Sequence, residues 1–441
     1  MNVTITPTLL KGVITPPPSK SQAHRLLLAA ALAGGESRVS NVALSQDISA
    51  TVSCLEELGA SFRREGDALL VKGMGASAMS PLRRLALPRL DCGESGSTLR
   101  FLIPVALAVR AGGVFTGHGR LMERPQGPYF DLFDQKGIFH EQKDGVLTVS
   151  GALESGAYAL PGNVSSQFFT GLLYALPLRE GDSTLVSTTE LESAGYLDMT
   201  LQAMERFGVT ARREGNVFSI PGGQTYRPAD CAVEADWSQA AFWYAAQGVG
   251  NQVEVAGMRE DSLQGDRVIL NWGRMLRDEP CSGDALPIWG RAGTARPPAG
   301  QPDLPRRYAV SIDVSHAPDL VPPAAVWGAL TPGCGLYLKN AARLRLKESD
   351  RLAAVHEVLS ALGAEVEEGE DFLTIRGRAS LPGGVTVDSH NDHRIAMMAA
   401  VAATRCEEPV TITGAECVAK SYPNFWDDYA ALGGRLVRAG A

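Results

Sequence analysis

Several short segments of the chain place a cation or a hydroxyl directly ahead of a predicted helix. In the first segment, Ser19, Lys20, Ser21 and Arg25 follow three consecutive prolines, which cannot lie inside a helix, and precede a run of leucines and alanines. The helix is predicted to begin near Ser19 and to end at two glycines from Gly34. Its free N–H groups and positive dipole end would suit phosphate or carboxylate, although an ordinary surface helix has similar caps and charges.

Six further segments place polar or cationic residues where a structural repeat needs only packing. Taken singly, each would suit a helix cap or a solvated charge. Because most of them lie just ahead of predicted helices, together they indicate anion binding by several helix N-termini. They are residues 93–100, 123–125, 163–167, 345–351, 391–394 and 419–423.

The composition limits the classes of function. The 441 residues allow two or more domains, and the net charge of −8 argues against a broad basic surface for nucleic acid. The longest apolar run is too short to cross a membrane, and no secretion signal is recognisable, so we expect a cytoplasmic protein. Seven scattered cysteines without a CxxC pair favour buried thiols over disulfides or a zinc site.

The elements that must position these segments repeat along the chain. A helix, a glycine and a hairpin follow one another near Asp47, Asp198 and Asp350, with a fainter copy from Phe130 and weaker ones at residues 268–276 and 425–432. Six such units predict a large α/β protein with mixed sheets. The sequence contains no GxGxxG or P-loop spacing, which argues against a nucleotide-binding core. Residues 279–307 break the pattern and are interpreted as an inserted surface loop.

In this order, the motifs resemble those of the 3-phosphoshikimate 1-carboxyvinyltransferase (EPSP synthase) family. The match runs from residue 19 to residue 420, and its most specific part is the block from Lys347 to Arg351. The motifs are Ser19-Lys20-Ser21 with Arg25, Gly93–Arg100, Glu123-Arg124-Pro125, Ser165-Ser166-Gln167, Pro318-Asp319, Lys347–Arg351, Asn391–Arg394 and Ala419-Lys420.

The resemblance implies a two-domain inside-out α/β barrel with three βαβαββ repeats in each domain. The first domain would comprise residues 18–229, and the second would comprise residues 1–17 and 230–441, so the chain would cross between them twice. Helix N-termini would point at a cleft between the domains. The implied reaction moves the enolpyruvyl group of phosphoenolpyruvate to the 5-hydroxyl of shikimate 3-phosphate and releases phosphate. The expected protein is a monomer with small-molecule substrates, no metal or cofactor, and no nucleic-acid or membrane partner.

The resemblance also assigns roles to individual residues. Asp319 would act as the base and Glu348 as the proton donor to the methylene carbon, with Lys20 assisting proton transfer. Shikimate 3-phosphate would be held by Lys20, Ser21, Arg25, Ser165, Ser166, Gln167, Ser193, Asp319 and Lys347. Phosphoenolpyruvate would be held by Lys20, Gly96, Arg124, Gln167, Arg351, Arg394 and Lys420.

Four positions depart from the family pattern. Glu94 and Ser97 stand where Asn and Thr are common, Phe101 replaces a frequent Pro, and Arg343 replaces an Asn near the shikimate ring. A carboxylate at position 94 should repel phosphoenolpyruvate unless it points away or pairs with a cation.

Two other functions remain open at this point. The sister enolpyruvyl transferase that acts on UDP-N-acetylglucosamine uses a loop cysteine, and Cys92 is the one cysteine near a matching region. A non-catalytic anion-binding protein would keep Arg25 and Arg124 but would not need Asp319 or Glu348.

Overall fold

The computed structural model describes residues 1–75, 86–277 and 309–440. These residues divide into two compact units. The first unit is Pro18–Glu234 with Asp261–Gln264, and the second is Met1–Pro17, Ala235–Glu260 and Gly265–Ala441. The domain boundary between residues 229 and 230 stays a prediction. The predicted insertion at 279–307 lies outside the described residues.

The helices begin at hydroxyl or carboxylate caps in most of the repeats. The described α-helices are α1 (Lys20–Leu32), α2 (Gln46–Leu58), α3 (Gly96–Arg110), α4 (Gly127–Lys136), α5 (Ser166–Ala175), α6 (Ala194–Arg206), α7 (Trp237–Gly248), α8 (Ile269–Leu276), α9 (Val321–Ala329), α10 (Arg351–Ala361), α11 (His393–Ala403) and α12 (Phe425–Ala431).

The strands are short, between two and five residues each. They are β1 (Asn2–Thr6), β2 (Lys11–Ile14), β3 (Glu36–Ser40), β4 (Ser61–Glu65), β5 (Ala68–Lys72), β6 (Arg89–Asp91), β7 (Gly112–Thr116), β8 (Phe139–Lys143), β9 (Val146–Ser150), β10 (Gly156–Leu160), β11 (Ser183–Ser187), β12 (Arg212–Glu214), β13 (Val217–Ile220), β14 (Cys231–Ala232), β15 (Gln252–Val255), β16 (Ala309–Asp313), β17 (Gly335–Lys339), β18 (Glu365–Glu368), β19 (Leu373–Arg376), β20 (Leu381–Gly383), β21 (Thr386–Asp388), β22 (Cys406–Glu408), β23 (Val410–Thr413) and β24 (Arg435–Ala439).

The first unit contains three four-stranded sheets with one topology. In the order β6-β7-β9-β8, β6 is parallel to β7, and the hairpin β8–β9 adds antiparallel strands. The sheet β10-β11-β13-β12 has the same arrangement. In the third sheet, β14-β3-β5-β4, the first strand comes from the end of the unit. In the first two sheets, a helix joins the parallel pair: α3 connects β6 to β7, and α5 connects β10 to β11, which gives the expected βαβαββ order.

The second unit repeats this topology with one exchanged strand. The sheet β16-β17-β19-β18 is a complete βαβαββ unit, whereas in β21-β23-β1-β24 the N-terminal strand β1 lies between β23 and β24. Val3 and Ile5 of β1 are fully buried, so this strand is part of the core of the second unit. Two smaller parallel pairs, β15-β2 and β20-β22, complete the described strands, and none of these sheets closes into a barrel.

Helix boundaries agree with the sequence at most of the repeats. Helices α2, α6 and α10 all precede a hairpin as predicted, and α2 ends at Gly59 in a left-handed conformation with φ +115°. The expected stop of α1 at the two glycines is wrong by one residue. Ala33 is the C-cap and is extended, with ψ 151°, because the chain leaves directly toward β3.

Candidate active site

Arg25 is the most buried cation of the first unit, with 2% of its surface exposed. Its Nε donates to Thr200 Oγ1 at 2.9 Å, and one terminal nitrogen donates to the Ser21 carbonyl at 2.7 Å. The rings of Phe101 and Tyr196 lie 5.2 and 5.7 Å from the guanidinium carbon. Burial lowers the pKa of Arg25 to about 10. A cation among neutral partners gains most from an anionic ligand.

Lys20 is the first residue of α1, and the hydroxyl of the N-cap Ser19 accepts the N–H of Gln22. The Lys20 ammonium lies 2.7 Å from Asp47 Oδ2 on α2, and both side chains are largely buried. Lys20 therefore belongs to the first turn of α1, whose free N–H groups are suited to an oxyanion.

Two further helix N-termini carry predicted ligand residues. Ser165 is the N-cap of α5, and its hydroxyl accepts the N–H of Gln167 at 3.2 Å. Ser193 precedes α6 and is buried in a left-handed conformation with φ +56°. Such a conformation is costly for serine and often marks a functional position. Thr170 of α5 and Thr200 of α6 join these helices through their hydroxyls, 3.1 Å apart.

Gly96, Arg124 and Gln167 are brought together at the N-terminus of α3. A Cβ atom on Gly96 would lie 2.7 Å from a terminal nitrogen of Arg124 and 3.5 Å from Gln167 Oε1. Glycine is therefore what allows the Arg124 guanidinium to approach the helix. The Gln167 amide donates to Ser97 Oγ at 3.0 Å and accepts from Arg100 at 2.8 Å.

Arg100 was not among the predicted site residues, although it ends the glycine-rich motif. Its guanidinium donates to Gln167 and to the Pro125 carbonyl, and it stacks over Phe168 at 4.8 Å. The arginine therefore orients both Gln167 and the turn that carries Arg124. Its place at the end of an already recognised motif is the signal that could have identified it.

Helices α3 and α5 are held close by a tyrosine and a glycine. Pro104 lies inside α3 and has no N–H to donate to the Arg100 carbonyl, so Tyr129 Oη donates to that carbonyl instead, at 2.8 Å. The same hydroxyl lies 2.9 Å from the Phe168 carbonyl of α5. A Cβ on Gly171 would lie 2.5 Å from the Arg100 carbonyl oxygen. These contacts fix the spacing of the two helix N-termini.

The departures from the family pattern have individual surroundings. The Glu94 carboxylate lies against the loop before the Arg124 turn, where a Cβ on Gly119 would come within 2.7 Å of its Oε2. Ser97 supplies the hydroxyl that Gln167 contacts. Phe101 packs against Arg25, and Arg343 donates to the Ser315 carbonyl at 2.5 Å.

Arg351 is the centre of the second unit's charged cluster and is 1% exposed. Its Nε donates to Asp392 Oδ2 and a terminal nitrogen donates to Asp319 Oδ1, both at 2.8 Å. The other terminal nitrogen contacts Glu348 Oε2 and also Asp392 Oδ1. Ser349 donates a further hydrogen bond to Asp392. Because the first residue of α10 holds these groups, the Lys347–Arg351 motif is folded around its own arginine.

Asp319 lies in a short 3₁₀ turn, Pro318–Leu320, and contacts three cations. Besides Arg351, Lys347 Nζ lies 3.1 Å from Oδ1 and a terminal nitrogen of Arg394 lies 3.3 Å from Oδ2. Burial alone would raise the pKa of Asp319, but Arg394, Lys347 and Arg351 hold it well below its usual value. The carboxylate is therefore ionised.

Lys420 and Arg394 are positioned by the loop ahead of α11. Lys420 Nζ donates to the Asn391 carbonyl at 2.6 Å, and the N-cap Asp392 accepts the N–H of Arg394 at 3.0 Å. His390 and Asn391 are both left-handed, with φ +52° and +53°. This tight turn aims the Asn391 carbonyl at Lys420.

Asp266 is a buried carboxyl that sequence reasoning missed. It is 2% exposed, and burial together with the charge of Asp319 raises its pKa to about 6, although Arg394 opposes this. It lies outside the recognised motifs, so charge spacing alone did not distinguish it.

Other classes of site find little support within residues 1–75, 86–277 and 309–440. No group of three or more His, Cys, Asp or Glu side chains there could hold a metal ion. None of the helices described is long and apolar enough to cross a membrane. The Cys92 thiol is fully buried, and burial raises its pKa, so it differs from the reactive loop cysteine of the sister transferase.

The predicted site residues therefore form two sets. Ser21 with Arg25, and Gly96 with Arg124 and Gln167, are grouped in the first unit, and the second unit has its own cluster. That cluster contains Asp319, Lys347, Glu348, Arg351 and Arg394. A common cleft for both sets stays a prediction.

Comparisons with known proteins agree over the whole chain. A family model described as EPSP synthase (3-phosphoshikimate 1-carboxyvinyltransferase) matches residues 5–429. The 3-phosphoshikimate 1-carboxyvinyltransferase of Clostridium kluyveri is 43% identical over 440 residues, with 98% of each chain covered. The protein of that name from Clostridioides difficile is 41% identical, covering 98% of this chain and 97% of its own. A solved EPSP synthase from Acinetobacter baumannii has a TM-score of 0.74 at 25% identity, covering 99% of this chain and 100% of its own. The predicted fold class is confirmed.

Proposed function

The chain belongs to the EPSP synthase (3-phosphoshikimate 1-carboxyvinyltransferase) family, and on this premise we propose that it transfers the enolpyruvyl group of phosphoenolpyruvate to the 5-hydroxyl of shikimate 3-phosphate. Inorganic phosphate is the second product. The observation that carries the proposal is the pairing of Asp319 and Glu348 with buried cations in one cluster. A protein that only bound anions would gain nothing from two carboxylates beside Arg351, since they compete with the ligand.

The two substrates are both phosphorylated carboxylates, so their binding needs several cations at once. Arg25, with the N-termini of α1, α5 and α6 near it, is assigned to shikimate 3-phosphate. Arg124 and the Gly96 turn are assigned to phosphoenolpyruvate. The remaining ligand assignments are those that the family motifs imply.

The proposed chemistry is an addition followed by an elimination. In the addition, Asp319 accepts the proton of the 5-hydroxyl of shikimate 3-phosphate. The oxygen of that hydroxyl then bonds to the central carbon of phosphoenolpyruvate. The methylene carbon takes a proton from Glu348 and becomes a methyl group. In the elimination, that methyl group returns a proton and the bond to phosphate breaks. Lys20 balances the charge of the departing phosphate.

Asp319 needs a change of surroundings before it can act as a base. Three cations hold its pKa well below the usual value, whereas an efficient base has a pKa close to the working pH. Anionic substrates would draw Lys347, Arg351 and Arg394 away from it. The pKa of Asp319 would then rise when the substrates bind, and proton transfer would depend on full occupancy.

The decisive experiment is a coupled phosphate-release assay. Shikimate 3-phosphate and phosphoenolpyruvate together should release phosphate, and neither should do so alone. Release with UDP-N-acetylglucosamine in place of shikimate 3-phosphate would favour the sister transferase. Raised melting temperatures with both substrates, without any release, would favour a protein that only binds anions.

The proposal extends to a monomer that acts in the cytoplasm on small molecules. A net charge of −8 disfavours nucleic-acid partners, and the cations described above are buried rather than spread over a surface. Sedimentation velocity at micromolar concentration tests this part, and a dimer would contradict it.

A further inference from the structure

A chain of four buried polar side chains links α1 to the N-terminus of α3. His24 Nδ1 lies 2.8 Å from Thr51 Oγ1, which lies 2.6 Å from Thr98 Oγ1, which in turn lies 2.7 Å from Ser95 Oγ. None of the four is more than 3% exposed. The substrate assignments above use none of them.

The hydrogen bonds between these four side chains all run in one direction, from His24 to Ser95. Ser95 is the N-cap of α3, and its hydroxyl oxygen accepts both the N–H and the hydroxyl of Thr98. A hydroxyl has one hydrogen, so Thr98 Oγ1 must accept from Thr51. The 2.6 Å contact with Thr98 is also shorter than the 3.2 Å contact of Thr51 with the Asp47 carbonyl. Thr51 Oγ1 is then an acceptor toward His24, which assigns the hydrogen to His24 Nδ1.

The surroundings of His24 require the neutral imidazole. Its Nε2 is buried and has no hydrogen-bond partner among the residues that the structure describes. Burial lowers the pKa of His24 well below 6.5, and Lys20 and Arg25 lower it further. An imidazolium would carry a second N–H without an acceptor, close to two cations.

The hydrogen-bonded series ends at Ser95, next to the residues assigned to phosphoenolpyruvate. Gly96 follows Ser95 directly, and a Cβ there would lie only 2.7 Å from Arg124, so the fit between the helix start and the guanidinium is tight. A small displacement of the α3 N-terminus would therefore change how Arg124 meets its ligand.

We propose that His24 is a positioning residue: as the neutral Nδ1–H tautomer, it holds the N-terminus of α3, through Thr51, Thr98 and Ser95, in the geometry that phosphoenolpyruvate needs. The kinetic part of this inference rests on the function proposed above. Its structural part, the tautomer and the linkage, does not.

A pair of threonines provides a matched test. Thr51 belongs to the His24 chain, whereas Thr200 accepts a hydrogen bond from Arg25 on the shikimate 3-phosphate side. Thr51→Val should raise the KM for phosphoenolpyruvate about tenfold and leave the KM for shikimate 3-phosphate within about twofold. Thr200→Val should do the reverse. Thr51→Ser keeps the hydroxyl and should restore the wild-type KM, which separates the linkage from loss of folding.

His24 itself is tested with two substitutions and a spectrum. His24→Asn can place an amide N–H near the position of Nδ1 and should retain the low KM for phosphoenolpyruvate, whereas His24→Leu should raise it like Thr51→Val. A long-range ¹H–¹⁵N spectrum of the wild-type protein should show His24 as the Nδ1–H tautomer at neutral pH.

The possible results are decisive in both directions. An Nε2–H tautomer, a charged His24, or equal effects of Thr51→Val and Thr200→Val on both KM values would overturn the proposal. If the wild-type protein releases no phosphate, the proposed function fails. The tautomer, and a shift of the Gly96 amide resonance in Thr51→Val but not in Thr51→Ser, would still test the positioning.

Discussion

The two most buried arginines, Arg25 of the first unit and Arg351 of the second, are held in opposite ways. Arg25 donates to the neutral oxygens of Thr200 and Ser21, whereas Arg351 contacts the carboxylates of three acidic residues. Burial lowers the pKa of Arg25 to about 10. Burial acts on Arg351 too, but Asp392, Glu348 and Asp319 outweigh it and raise its pKa.

This difference separates binding from proton transfer. A buried cation without a carboxylate partner is unfavourable in the free protein, and an anionic ligand relieves that cost directly. In the second unit, the charges are already balanced, so a ligand must compete with Asp319 and Glu348. Those same carboxylates are what acid–base chemistry needs. We infer that Arg25 serves ligand affinity, whereas the cluster around Arg351 combines ligand binding with acid–base chemistry.

The largest expected effect is on turnover and comes from the second unit. Glu348→Gln should lower kcat by roughly 10²- to 10⁴-fold, because glutamine cannot donate a proton to carbon, while it can still accept a hydrogen bond from Arg351. Binding of both substrates, measured by calorimetry, should be retained. Glu357→Gln is a matched control on α10, the helix that begins just after Glu348, because the Glu357 side chain is largely exposed. An unchanged kcat in Glu348→Gln would remove this residue from the mechanism.

Removing each central arginine should sharpen the contrast in stability. Arg351→Met leaves three carboxylates without their shared cation and should lower the free energy of unfolding by about 3–5 kcal/mol. Arg25→Met leaves only neutral acceptors, so its effect on stability should be below about 1 kcal/mol, while shikimate 3-phosphate binding is lost. Urea unfolding of the two variants provides the measurement. Similar losses of stability in both would refute the contrast.

Lowering the pH should change the contributions of Asp266, in the second unit, and His24, in the first unit, to the free energy of unfolding in opposite directions. Burial raises the pKa of Asp266 to about 6, so its contribution to stability is complete below pH 3.8 and is lost, by roughly 3 kcal/mol, as the pH rises through 6. Burial lowers the pKa of His24 below 6.5, so its contribution is present above pH 6.5 and is lost as the pH falls.

Unfolding at pH 5 and pH 7 tests these opposite signs. Lowering the pH from 7 to 5 should raise the free energy of unfolding of the wild-type protein through Asp266 and lower it through His24. Asp266→Asn should therefore lose the first change, and His24→Asn should lose the second. If both variants change the pH dependence in the same sense, one of the two assignments is wrong.

The smallest expected effect on activity concerns the neutral hydrogen bonds of the first unit. Tyr129→Phe removes the donor to the Arg100 carbonyl, which Pro104 cannot replace, and should cost about 1–2 kcal/mol with a modest rise in the KM for phosphoenolpyruvate. Tyr158→Phe is the control, because its hydroxyl contacts the Glu154 carbonyl. That variant should leave the KM unchanged, and an equal rise in both would show that Tyr129 has no particular link to this site.

Much of the fold could be predicted because its signals are local. The recurring helix, glycine and hairpin near Asp47, Asp198 and Asp350 correspond to α2, α6 and α10 with their hairpins. The weaker repeat at residues 425–432 has only one strand, β24, after its helix and needs a second. The structure supplies it from β1, more than 400 residues away, and no local pattern could indicate that pairing.

The sequence by itself determined the repeat, the helix starts and the ordered motifs, since each depends on neighbouring residues. Only the tertiary structure decided which partner each charge has. It gave Arg25 neutral partners, gathered three carboxylates around Arg351, and buried Asp266 beside Asp319. The physical reason is that pKa and hydrogen bonding depend on distances of a few ångströms between residues remote in the chain, and on the water excluded around them.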